Sequence, residues 1–130
     1  MNFICEEELK EEEKNYKNST LVNIKRLCLK NLATFEGRLK ATRASLNFKS
    51  KIPIYINERI MLVPLSSYKD PKCLWLNYFE VKALYNHFCK SVIIFNNGER
   101  IEIAFSFYVV KKQLEKARKI DKFLRCDNLS

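Results

Sequence analysis

Glycine is nearly missing from this chain. Gly37 and Gly98 are the only two in 130 residues, which excludes a glycine-lined loop that would wrap a phosphate in backbone N–H groups. Histidine is scarcer still: His87 stands alone, two residues before Cys89. An H-x-C pair is too small a ligand set for a tetrahedral structural zinc, and it reads as core or strand-end material. There is no CxxC; Cys5, Cys28, Cys73, Cys89 and Cys126 are scattered and odd in number. Such a set fits reduced thiols in a cytoplasmic protein, most of them buried as small hydrophobes. No apolar run approaches the roughly 20 residues of a membrane span. The opening MNFICEEELKEEEK has neither the basic nor the apolar region of a signal peptide. Beyond that opening, acids are sparse and stand mostly beside a lysine or an arginine, so paired-carboxylate chemistry has no residues to use. The expectation is no enzyme, no cofactor, no metal and no membrane partner.

What is present is core material and positive charge. Hydrophobic residues make up 47% of the chain, with nine Phe, six Tyr and one Trp, enough for a folded domain of this length. The net charge of +9 is unevenly spread. Residues 1–14 hold six Glu against two Lys, whereas Lys17 to Lys51 holds nine Lys or Arg against one acid, Glu36. The division expected is an acidic leader over 1–16 and a single basic domain over 17–130. A basic body implies a polyanionic partner.

The periodicities predict an α+β fold: a short-stranded antiparallel β assembly with an internal helix and a basic C-terminal helix. Residues 3–15 read as a short acidic helix or a tail. Leu21 to Leu29 alternates loosely and reads as a strand. Phe35, Leu39, Thr42 and Leu46 recur at helical spacing, with Lys40, Arg43 and Asn47 opposite and Arg38 flanking the apolar stripe. Ile54–Ile56 and Ile60–Val63 suit two strands about Asn57-Glu58-Arg59, with Pro53 and Pro64 at the ends. CLWLNYFEVKAL reads as one extended, mostly buried segment around Trp75. VIIFNNGERIEIAF predicts a hairpin with a type I′ turn at Asn97-Gly98. Ser106 is placed to cap the last helix, whose apolar side is Phe107, Val110, Leu114, Ala117, Ile120 and Leu124. Lys111, Lys112, Lys116, Arg118, Lys119 and Lys122 cover its other side. Lysines there have an ordinary reading as solvated surface.

The stronger signal is upstream. Arg38, Lys40, Arg43, Lys49 and Lys51 fall within 14 residues with no acid among them. Several cations that neutralise phosphates together release condensed counterions, the main source of nucleic-acid affinity. Arginine can also enter a narrowed A·T minor groove.

The same landmarks, in order, resemble the competence transcription factor ComK family. Phe35-Glu36-Gly37-Arg38 matches an aromatic-x-Gly-Arg signature, Lys51–Ile54 a Lys-x-Pro-Ile element and Pro64–Ser67 a Pro-x-Ser-like strand end. Cys73 with Trp75 and the Asn97-Gly98 turn complete the set, which spans about residues 20 to 120. The resemblance implies a cytoplasmic, oligomeric activator of transcription that binds double-stranded DNA at A/T-rich boxes through the minor groove, with Gly37 and Arg38 in its signature. A weaker similarity, to the second half of LytTR-type DNA-binding domains, places Asn77 near a polar base-contacting position; the arginine expected after the second hairpin strand is replaced by Phe107 or Tyr108. The DNA-binding set expected is therefore Arg38, Lys40, Arg43, Lys49, Lys51 and Asn77. The alternative is a ComK-like adaptor or decoy that acts by protein–protein interaction with a regulatory partner and without DNA. A generic RNA-binding module is the third reading.

Overall fold

The computed structural model describes residues 19–127; the acidic leader and Cys5 lie outside the described residues. Among the described residues, three helices and two antiparallel three-stranded sheets make up an α+β fold: α1 (Ser19–Lys30), α2 (Phe35–Leu46), β1 (Ile54–Asn57), β2 (Ile60–Pro64), β3 (Trp75–Asn77), β4 (Val81–His87), β5 (Lys90–Phe95), β6 (Arg100–Ser106) and α3 (Phe107–Asp127). The sheets run β1-β2-β3 and β4-β5-β6.

The strand expected over Leu21–Leu29 is instead the helix α1. Asn23, Ile24, Leu27 and Cys28 are buried while Val22 and Leu29 are exposed, so a polar residue faces in and two apolar residues face out. That inversion mimics alternation, although the buried set has helical spacing. The helix ends with Leu32 at φ 66°, its N–H bonded to the Leu29 carbonyl and that of Ala33 to the Cys28 carbonyl, a Schellman closure.

α2 forms where the Phe35, Leu39 and Leu46 spacing predicts it. Thr34 caps it, accepting from the Gly37 N–H at 2.9 Å. A Cβ on residue 37 would lie 2.8 Å from the Thr34 hydroxyl oxygen, which gives the glycine of the signature a local reason: it makes room for the cap.

β2 is buried throughout because it separates two core layers. Ile60 and Leu62 face one way, into a layer with Ile24, Leu27, Phe35, Leu39, Ile54 and Trp75. Met61 and Val63 face the other way, toward Ile93, Ile103, Val110, Ala117 and Ile120. The period-2 alternation of a strand thus serves both layers. Burial of each such aliphatic side chain contributes about 1.5–3 kcal/mol.

The segment around Trp75 is not one extended run. A 3₁₀ turn at Tyr78–Glu80 separates β3 from β4 and lets the chain change sheets. The β5–β6 hairpin forms as expected, but its turn differs. The Gly98 N–H bonds the Phe95 carbonyl and the Phe95 N–H bonds the Glu99 carbonyl, and of Asn97 and Gly98 only the glycine has positive φ, at 91°. This is a three-residue loop, a type I turn closed by a glycine bulge, not a type I′ turn. Lys90 pairs with Ser106 but Ser91 with Ile103, so β6 bulges. The buried Ser91 hydroxyl donates to the Phe105 carbonyl at 2.9 Å. The bulge leads the chain into α3, where Ser106 Oγ accepts from the Tyr108 N–H at 3.2 Å, the cap expected.

Of the four described cysteines, Cys28 and Cys73 are buried and Cys89 and Cys126 exposed, all unbridged. Burial of thiols therefore extends to two of them rather than to most.

Candidate nucleic-acid interface

Phe35 and Leu39 turn one side of α2 into the core, and Lys40 and Arg43 are left exposed on the helix. The helix stops at Asn47, in the left-handed region (φ 58°, ψ 32°), whose N–H bonds the Arg43 carbonyl; asparagine tolerates that conformation better than most residues. Half-buried Phe48 then packs against both core layers. Lys49, Ser50 and Lys51 follow from this anchored point and are exposed.

Two side chains of α3 close on this loop. Buried Gln113 donates from Nε2 to the carbonyls of Lys51 at 2.7 Å and Pro64 at 2.8 Å. Lys116 Nζ donates to the Ser50 carbonyl at 2.9 Å. The basic loop after α2 and the lysines of α3, far apart in the chain, are thereby joined. Burial lowers the pKa of Lys116 below the ordinary lysine range, and the like charges of Lys112 and Lys51 lower it further. The like charges that disfavour the charged form of Lys116 mark a zone of positive potential, and a phosphate placed there offsets the repulsion.

Arg38 and Asn77 have different surroundings. The Arg38 guanidinium donates from Nη1 to the carbonyls of Tyr55 at 2.8 Å and Ile56 at 3.1 Å, and from Nη2 to those of Asn31 at 2.9 Å and Cys28 at 3.4 Å. It fastens the C-terminal end of α1 to the edge of β1. Burial raises the Cys28 thiol above its ordinary pKa, opposed by the nearby Arg38 charge. Asn77 is buried. Its Oδ1 accepts from the N–H groups of Met61 at 3.1 Å and Phe79 at 3.2 Å, and its Nδ2 donates to the Arg59 carbonyl at 3.0 Å. Both side chains direct their polar atoms inward, and neither is brought to the surface that holds Lys49 and Lys51.

Lys112, Lys116 and Gln113 are the residues that sequence reasoning did not join to the loop. The available signal was Gln113 itself, an amide beside Leu114 on the apolar side of α3. His87 and Cys89 are exposed. Among the described residues no group of three or more His, Cys, Asp or Glu comes together as a metal site, and no helix is long and apolar enough to cross a membrane.

No curated protein and no solved structure matches this chain. A family model described as ComK protein matches residues 3–126. With nearly the whole length matched, the chain belongs to the ComK family.

Proposed function

We propose that the protein is a regulator of transcription that binds duplex DNA through Lys40, Arg43, Lys49, Lys51, Lys112 and Lys116. The observation that carries this reading is the attachment of the Lys49–Lys51 loop to α3 through Gln113 and Lys116, which merges two lysine-bearing segments into one cationic face. Its function is to neutralise several phosphates together, with counterion release as the driving force. Membership of the ComK family supports a role in competence transcription. The resemblance adds a preference for A/T-rich boxes read from the minor groove, for which exposed Arg43 is the arginine on hand. A fluorescent A/T-rich duplex, titrated at low and moderate salt, tests the reading. Binding should weaken steeply with salt and be displaced by a minor-groove ligand such as distamycin. Absence of binding at low salt, or competition by major-groove methylation alone, would overturn it.

A second reading, self-association, is favoured by the exposed Val22, Leu29 and Leu32 on and just after α1. Val22 and Leu29 are seven residues apart and share a helix face, and grouped exposed apolar side chains mark contact surfaces. In this reading the same face serves a protein-only adaptor or decoy. Sedimentation of the protein and of Leu29→Glu, beside the duplex titration, separates the two: an adaptor associates and leaves DNA alone.

A further inference from the structure

The β4–β5 hairpin ends in an arrangement that neither the core nor the cationic face uses. His87 pairs with Lys90, and the two residues between them, Phe88 and Cys89, have φ 51° and 68°. Two consecutive positive φ values define a type I′ turn, which favours Asn-Gly. An aromatic and a thiol side chain in that position are an outlier, and such outliers cluster where a side chain must be presented. The tip is nevertheless well held. The Cys89 N–H bonds Asn86 Oδ1 at 3.0 Å, and the Cys89 carbonyl accepts from the Phe107 N–H at 3.1 Å. The result is a Phe88 side chain that is 88% exposed at the apex of a rigid two-residue turn, steadied on one edge by the His87 ring at 4.7 Å.

The segments that carry and hold this apex bear exposed lysines. Lys90 is exposed on the returning strand, and Lys111 and Lys112 are exposed one turn into the helix whose first residue holds the tip. The Glu102 carboxylate is engaged by His87 Nδ1 at 2.6 Å. Exposed Tyr108, 65% accessible, stands beside Phe107, the residue bonded to the tip. An exposed aromatic side chain on a tip whose own strand and supporting helix bear lysines fits a polyanion whose interior is a stack of flat rings, and inserted Phe side chains part such stacks at base steps.

We propose that Phe88 is a wedge that enters between base pairs of bound duplex DNA, with Lys90, Lys111 and Lys112 on the flanking phosphates. This rests on the DNA-binding reading above. The probe is an A/T-rich duplex with 2-aminopurine placed across the site, whose fluorescence rises when the base is unstacked, titrated with the full chain, Phe88→Ala, Phe88→Leu and Phe88→Gly. The full chain should raise the fluorescence. Phe88→Ala should bind roughly tenfold more weakly, the scale of one aromatic–base stacking contact, with an unchanged salt slope and no rise in fluorescence. Phe88→Leu should keep part of the signal. Phe88→Gly removes the left-handed strain, so it should melt no lower than the parent and still behave as Phe88→Ala. Full affinity and full fluorescence in Phe88→Ala overturn the wedge and leave the DNA-binding face standing. A full chain that binds no duplex removes both. Loss of duplex binding in step with loss of self-association in sedimentation overturns the wedge in favour of a contact between copies of the chain.

Discussion

Gln113 holds Lys51 by its backbone, with Nε2 2.7 Å from the Lys51 carbonyl oxygen, and so ties the basic loop to α3 across 62 residues of sequence. The amide is buried and also serves the Pro64 carbonyl at the end of β2. Gln113→Leu keeps the volume and leaves two carbonyls without this donor. Unpaired buried acceptors cost about 1–3 kcal/mol, so the variant should melt at lower temperature. Under conditions where it is folded, duplex affinity should also fall, because the loop is no longer fixed beside Lys112 and Lys116. Chemical denaturation and duplex titration of the same preparation check both effects.

Arg38 separates stability from binding. Its guanidinium bonds four carbonyls from α1, the residue after it and β1, and charge-assisted bonds of this kind are the stronger ones. Arg38→Ala should destabilise the fold by about 2–4 kcal/mol, as several charge-assisted bonds go at once. Arg38→Lys should recover little, since an ammonium cannot present a planar fork to separate acceptors. In the folded fraction the salt slope of duplex binding should stay unchanged. A flattened slope would move Arg38 onto the DNA.

Arg43 and Lys49 give the opposite pattern. Both are exposed, at the end of α2 and in the loop after it. Arg43→Ala with Lys49→Ala should leave melting nearly untouched while the log–log salt slope flattens by about one to two units. An unchanged slope would place the contact face elsewhere.

Much of this was legible in the sequence and some was not, for physical reasons. α2 and the β5–β6 hairpin are local: Phe35, Leu39 and Leu46 recur within one helix, and Asn97-Gly98 carries its own turn chemistry. α1 was hidden because Asn23 faces the core while Val22 and Leu29 face out. The cationic segment from Arg38 to Lys51 was visible as charge. Charge does not tell which cation bonds carbonyls, as Arg38 does, and which stays exposed, as Arg43 does. The union of Lys51 with Lys112 and Lys116 depends on a contact between residues remote in sequence, which no local pattern encodes.

Lys116 predicts a pH dependence. Its pKa is lowered by burial and then by Lys112 and Lys51, so it loses its proton at a lower pH than an ordinary lysine. The protonated form is the one that attracts phosphate. Duplex affinity should therefore decline as pH rises through the lowered value. Lys116→Arg stays charged throughout that range and should hold its affinity there. Identical pH profiles for the two proteins would remove Lys116 from the interface.

Gly98 tests whether the β5–β6 hairpin is scaffold. Its φ of 91° lies where L side chains are rarely found, and a Cβ built there meets nothing within 4 Å. The penalty for a side chain is thus purely conformational, with no clash to relax. Gly98→Val adds a β-branched side chain in that region and should destabilise the fold by about 1–3 kcal/mol. It also loads the turn that sets the register of Ile101 and Ile103, and a one-residue slip would carry Ile103 out of the core. Glu99→Gln is the control: its exposed carboxylate lies outside every described hydrogen bond and ion pair of this hairpin, so melting should not move. Thermal melting of both variants beside duplex affinity decides the matter. Were Gly98→Val to melt like the parent and yet lose duplex binding, the tip of this hairpin would belong to the DNA contact rather than to the frame that supports it.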